Sequence, residues 1–225
     1  MRFAHPVALL GILLSLPAPA AEWRNLFADG LAEWEILGDG IWELRPDGVL
    51  LAYRRPAKDA LFGESDSIAK RQFHAWDTVQ SWLYTREDYG EFDLRLEYWV
   101  RTPGNSGISI RDPSRAKYGL TQPPDYSKTP SKLGYEIQIN SEWPDPKNSG
   151  SIYGLADAPR GLQRVGDWNS LHIVSRDEVI RVFVNGLLAA EHAGDPKRPR
   201  TGPIGLQLHD QSSVVMFRNV WIREQ

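Results

Sequence analysis

The sequence predicts an all-β protein, a β-sandwich or jelly roll built as a single domain. Three observations predict it. Short runs of alternating apolar and polar residues recur along most of the chain, punctuated by Gly, Pro, Asn and Asp. Regularly spaced runs of this kind, roughly a dozen here, are the mark of sandwiches and barrels. No long segment carries a helical period, and a length of 225 residues with 41% hydrophobic and 24% charged side chains suits one large β domain.

The elements follow in order. Residues 7–16, "VALLGILLSL", form an apolar run behind Arg2 and ahead of the small residues Ala18 to Ala20. That is the layout of a signal peptide, too short for a membrane span. The expectation is export to the periplasm or the medium, cleavage near Ala20, a domain over 21–225, and no integral membrane segment in the mature chain. Ile41 to Tyr53 reads as two strands around the turn Pro46-Asp47-Gly48. A short helix is conceivable over 59–72. Strands are expected at 79–85, 92–100, 107–111 and 134–140, with a long Pro, Ser and Lys-rich loop over 112–133. Loops of that length in a compact domain are often functional. Segments 171–176 and 179–192 form a hairpin series, with Asn185–Gly186 the strongest short turn signal in the chain. Segments 202–210 and 213–224 close the fold.

Composition removes several function classes. The chain has no cysteine, so disulfides and a cysteine-linked lipid anchor are excluded. The formal charge is −3 and no basic stripe stands out, so nucleic acid is not an expected partner. The histidines form no His-x-x-x-His pair, and neither a Gly-x-Ser-x-Gly elbow nor a strand-linked Gly-x-Gly-x-x-Gly is present.

The period of two sorts side chains by face. In 134–140, Tyr135, Ile137 and Ile139 share one face, and Glu136, Gln138 and Asn140 the other. The second face holds a carboxylate and two amides but no lysine, unlike an ordinary solvated surface. The same rule puts Glu97, Asn105, Arg111, Gln207 and His209 on the polar sides of apolar strands. If those strands adjoin in one curved sheet, the groups converge in a groove. The bland reading is a set of cross-strand ion pairs on a solvated sheet. Trp143, on a Pro-rich loop after the Glu136 strand, is the tryptophan best placed to stack on a ligand ring, while Tyr118 and Tyr126 on the long loop are candidate lid residues.

Several blocks in order carry a resemblance: "NLFADGLAEW", "YGEFDLRLEY", "NSGISIR", "GYEIQI", "GDWNSLHI", "VFVNG" and "GPIGLQLHDQSSVVMFRNVWIRE". From about Trp23 to Glu224 the chain resembles the 3-keto-disaccharide hydrolase domain family. The resemblance implies a concanavalin A-like jelly roll of two curved antiparallel sheets and an exported protein of glycoside breakdown. Its substrate would be a saccharide or 3-keto-glycoside, cleaved by proton abstraction at C2 and elimination. Arg111, Glu136 and His209 match the family blocks most directly and are the expected catalytic residues. Glu97, Asn105, Gln138, Gln207 and Trp143 are expected to bind substrate. Asn140 stands where that family more often has Asp, which speaks against a carboxylate role there. Three alternatives stay open. A divalent cation held by Glu136 and His209 would replace Arg111. A two-carboxylate glycosidase would pair Glu97 with Glu136. A non-catalytic carbohydrate-binding module would use the same fold.

Overall fold

A computed structural model describes residues 21–54, 80–121, 125–210 and 212–225. The leader at 1–20 and the helix considered at 59–72 lie outside the described residues. Among those described, no helix is long and apolar enough to cross a membrane.

The chain folds into two antiparallel sheets. One has eight strands, in the order β11-β10-β9-β6-β13-β4-β3 with β1 (Arg24–Asn25) beside β13. These are β3 (Ile41–Leu44), β4 (Leu50–Tyr53), β6 (Phe92–Val100), β9 (Asn169–Arg176), β10 (Val179–Val184), β11 (Leu187–Ala193) and β13 (Val215–Glu224). The other has five, in the order β2-β5-β12-β7-β8. Its strands are β2 (Trp34–Leu37), β5 (Ser81–Thr85), β7 (Gly104–Ile110), β8 (Tyr135–Ser141) and β12 (Ile204–Leu208). A single-turn helix, α1 (Pro130–Leu133), precedes β8.

Alternation builds the sandwich. Phe92, Leu94, Leu96, Tyr98 and Val100 of β6 are buried, and so are Ile108 and Ile110 of β7 and Tyr135, Ile137 and Ile139 of β8. They meet Leu206, Leu208, Phe217 and Ile222 in one continuous core. Large apolar side chains of this kind contribute about 1.5–3 kcal/mol each on burial. The turns follow their residues. Asn185 and Gly186 both have positive φ (51° and 80°), as a two-residue hairpin turn requires, and they set Val184 opposite Leu187.

Apart from its edge strand β2, the five-stranded sheet is buried on both faces, unlike its partner. Every residue of β5, β7 and β12 is buried, and β8 nearly so. Its outer face is covered at one side, where Trp82 and Tyr84 of β5 stack at 5.5 Å with Ala116 of the long loop against them. The free margin of β8 is closed by the segment 149–153. Gln138 N donates to Ser151 O, Gly150 N to Gln138 O and Tyr153 N to Glu136 O, at 2.8–2.9 Å. The polar side of β8 is therefore an enclosed wall rather than a wet surface.

Candidate functional site

What remains open on that outer face is a hollow of about 220 Å³ over β12, β7 and β8. Gly107 of β7 lies between the lining residues Gln138 and Gln207. In register it faces Gln138 of β8, and the pairing of Leu206 with Ile108 brings Gln207 of β12 to its other side. A methyl group at position 107 would sit 2.9 Å from Glu136 Oε1 and 3.3 Å from Gln207 Oε1. The bare glycine thus lets the acid and the amide meet over the sheet. Asn105, His209 and Trp143 complete this part of the lining, and Tyr126 and Lys132 stand on the long-loop side.

His209 follows β12 and packs edge-on against Trp143, ring centroids 5.3 Å apart. Its Nδ1 is 3.2 Å from Asp210 Oδ2. Asp210 is itself fully buried and pinned. Its Oδ1 accepts from Ser212 N and Oγ, both at 2.7 Å, and from Ser213 N at 3.0 Å, while Oδ2 accepts from Ser213 Oγ at 2.5 Å. A carboxylate at Nδ1 fixes the proton there and leaves the lone pair on Nε2. Burial holds the imidazole below its ordinary pKa, against the opposing pull of Asp210, so His209 is neutral near pH 7.

Glu136 takes the opposite shift. Burial raises its carboxyl to about 7; the hydrogen bond with Gln207 works against that rise and the charge of Asp145 adds to it. Asp145 lies on the loop after β8, where its Oδ2 accepts from Tyr153 Oη at 2.9 Å. Asn140 shapes that loop. Its Nδ2 donates to Asp145 O at 3.0 Å and Lys147 O at 2.9 Å, and its Oδ1 accepts from Trp143 N at 2.8 Å. An aspartate could not make those donations, so the amide here has a structural use.

The structure brings Glu136, His209, Gln138, Gln207, Asn105 and Trp143 together in the hollow. It does not bring Arg111 or Glu97 there. Arg111 ends β7 with φ 58°, which breaks the alternation. The guanidinium turns away, donates to Gly90 O at 3.1 Å and borders a separate crevice with Tyr135 and Arg200. Glu97 lies on β6, in the other sheet, on its outward face, and pairs with Arg218 at 2.6 Å. With two sheets and their core between them, Glu97 and Glu136 cannot flank one glycosidic bond, and the two-carboxylate pairing fails. Among the described residues no group of three or more His, Asp and Glu is arranged to hold a metal ion. Tyr118 is held under Lys117 and Lys128 instead of lining the hollow. Sequence reasoning missed Asp145 and Asp210. Asp210 had a local signal, a carboxylate next to His209 followed by two serines within three residues; Asp145 had none beyond its place near Trp143.

The fold and site together define a jelly-roll domain with a polar hollow on the outer face of one sheet. The model of the 3-keto-alpha-glucoside-1,2-lyase-like domain matches residues 22–223, and the chain belongs to that family. No curated protein is matched. Among solved structures, a candidate glycosyl hydrolase from Parabacteroides distasonis is similar at TM-score 0.64 and 23% identity, over 91% of this chain and 100% of that one. A galectin-like protein of Bacillus subtilis is similar at TM-score 0.57 and 14% identity, over 92% and 96%. The carbohydrate-binding module CBM66 of the same species is similar at 0.52 and 14%, over 85% and 96%. These likenesses establish the fold.

Proposed function

We propose that the protein is an exported enzyme that cleaves 3-keto-glycosides by elimination. One observation carries this reading: a neutral buried imidazole and a carboxyl titrating at about 7 share one polar hollow. A ketone at C3 acidifies the proton on C2. His209 Nε2 takes that proton, and the C2–H electron pair forms C2=C3 while the C3 oxygen becomes an enolate. The enolate collapses back to C3=O, C1=C2 forms, and the C1–O bond breaks. The leaving oxygen takes its proton from Glu136. Water added across C1=C2 then completes a net hydrolysis. Family membership and the signal-like leader support the reading, and each proton-transfer group is worth ~10²–10⁴-fold.

The test is incubation with methyl 3-keto-α-glucoside, following methanol release and the ultraviolet absorption of a conjugated enone. Wild-type protein produces both, and His209→Ala and Glu136→Gln lower the rate by ~10²–10⁴-fold. Binding without turnover would make the domain a carbohydrate-binding module instead.

A further inference from the structure

Three side chains around Gly107 hold polar atoms with no hydrogen-bond partner among the described residues: Gln138 Nε2, Asn105 Oδ1 and Gln207 Oε1. Their residues are 1–2% exposed, and all three line the hollow. A buried amide left without a partner costs about 1–3 kcal/mol, so atoms of this kind that line an open hollow are completed by water or by a ligand that displaces it. Their signs differ. Gln138 Nε2 only donates, and Asn105 Oδ1 and Gln207 Oε1 only accept. Gln207 already spends its donor side on Glu136, which leaves the acceptor facing in.

A ligand matched to this set presents one acceptor and two hydroxyl donors. A sugar ketone flanked by hydroxyls at C2 and C4 offers all three. We propose that Gln138 is a catalytic residue whose side-chain N–H groups bind the C3 oxygen of a 3-keto-glycoside and hold its charge as the enolate forms. The inference rests on the elimination reading above. Arg111, expected among the catalytic residues, lies outside the hollow, which leaves the C3 oxygen to an uncharged donor. The amide is uncharged, set on a strand whose backbone is bonded on both margins, so it is pre-aimed and needs no reorganisation as charge develops. Donors of that kind are worth ~10²–10³-fold in rate when removed singly. The C2–H proton passes to His209 and the leaving oxygen's proton comes from Glu136; Gln138 transfers none.

Gln138→Met keeps the side-chain length and deletes the donor. With methyl 3-keto-α-glucoside, kcat falls by ~10²–10³-fold while KM changes by less than about threefold, because the contact strengthens in the transition state. A second readout is the C3 carbonyl stretch of the same sugar, carbon-13 labelled and bound to the inactive His209→Ala protein. It moves to lower frequency on binding, and Gln138→Met in that background restores it. Should Met disturb the fold, seen as a lost thermal transition, Gln138→Leu makes the same subtraction with a different apolar side chain. Full kcat and a carbonyl stretch that stays at the lower frequency in a folded Gln138→Met variant overturn the role of Gln138 alone. A wild-type protein inert towards every 3-keto-glycoside overturns the elimination reading and this one with it.

Discussion

Glu136 and His209 are displaced in opposite directions by the same cause, removal from water. Burial disfavours the charged form of each, so the acid holds its proton and the base lacks one near neutrality. Catalysis through this pair needs that combination. Activity therefore falls on the alkaline side as Glu136 ionises at about 7, and on the acid side as His209 protonates below its ordinary value. Glu136→Gln removes the alkaline limb from a profile of kcat/KM against pH. Stability carries the same sign. A carboxyl raised from 4.5 to about 7 stabilises the folded state below the lower value and loses that contribution as pH rises through the upper one. The loss amounts to about 3 kcal/mol. Thermal melts across this window should show wild-type stability falling with pH relative to Glu136→Gln, because the variant lacks this contribution; two curves that run parallel would refute the assignment.

The elements decide which of these residues can meet. The alternation of β8, β7 and β12 was readable, and it correctly separated Ile137 and Ile139 from Glu136 and Gln138. It failed at Arg111 because a single left-handed residue ends β7, and nothing in "SGISIRD" announces that reversal. It failed at Glu97 because periodicity assigns a face within a strand but not the sheet to which the strand belongs. β6 and β8 have the same pattern and lie in different layers. Loop geometry was equally hidden. The segment after β8 is held by Asn140, whose amide reaches backbone carbonyls on Asp145 and Lys147. Asn140→Asp deletes those donors and sets a negative oxygen against them. It should cost about 1–3 kcal/mol in a denaturant melt and reduce kcat/KM, since Trp143 and Asp145 ride on that loop. A variant as stable as wild type would show that the clamp carries no energy.

Across the whole molecule, the larger sheet has its own electrostatic anchor. Asp93 of β6 is 4% exposed and gathers Arg223 of β13 at 2.7 Å, Arg176 and His172 of β9 at 3.2 and 3.1 Å, and Gln225 at 3.0 Å. Burial opposes its charge, yet the bonds from Arg223 and His172 prevail and hold the carboxyl below the ordinary range. Its contribution is present above the unfolded pKa and disappears as pH falls through the folded one. Asp93→Ala removes the acceptor that these partly exposed side chains share and should cost about 1–3 kcal/mol, read as a lower melting temperature with keto-sugar turnover per folded molecule unchanged. The layer bearing the hollow is secured otherwise, through the strap of residues 149–153 along β8. That strap has a consequence for association. A bare marginal strand invites a neighbouring copy to add its own backbone and seed fibrils. Here the strand that bears the acid has its outward amides and carbonyls already spoken for, so crowded molecules find no template on that flank.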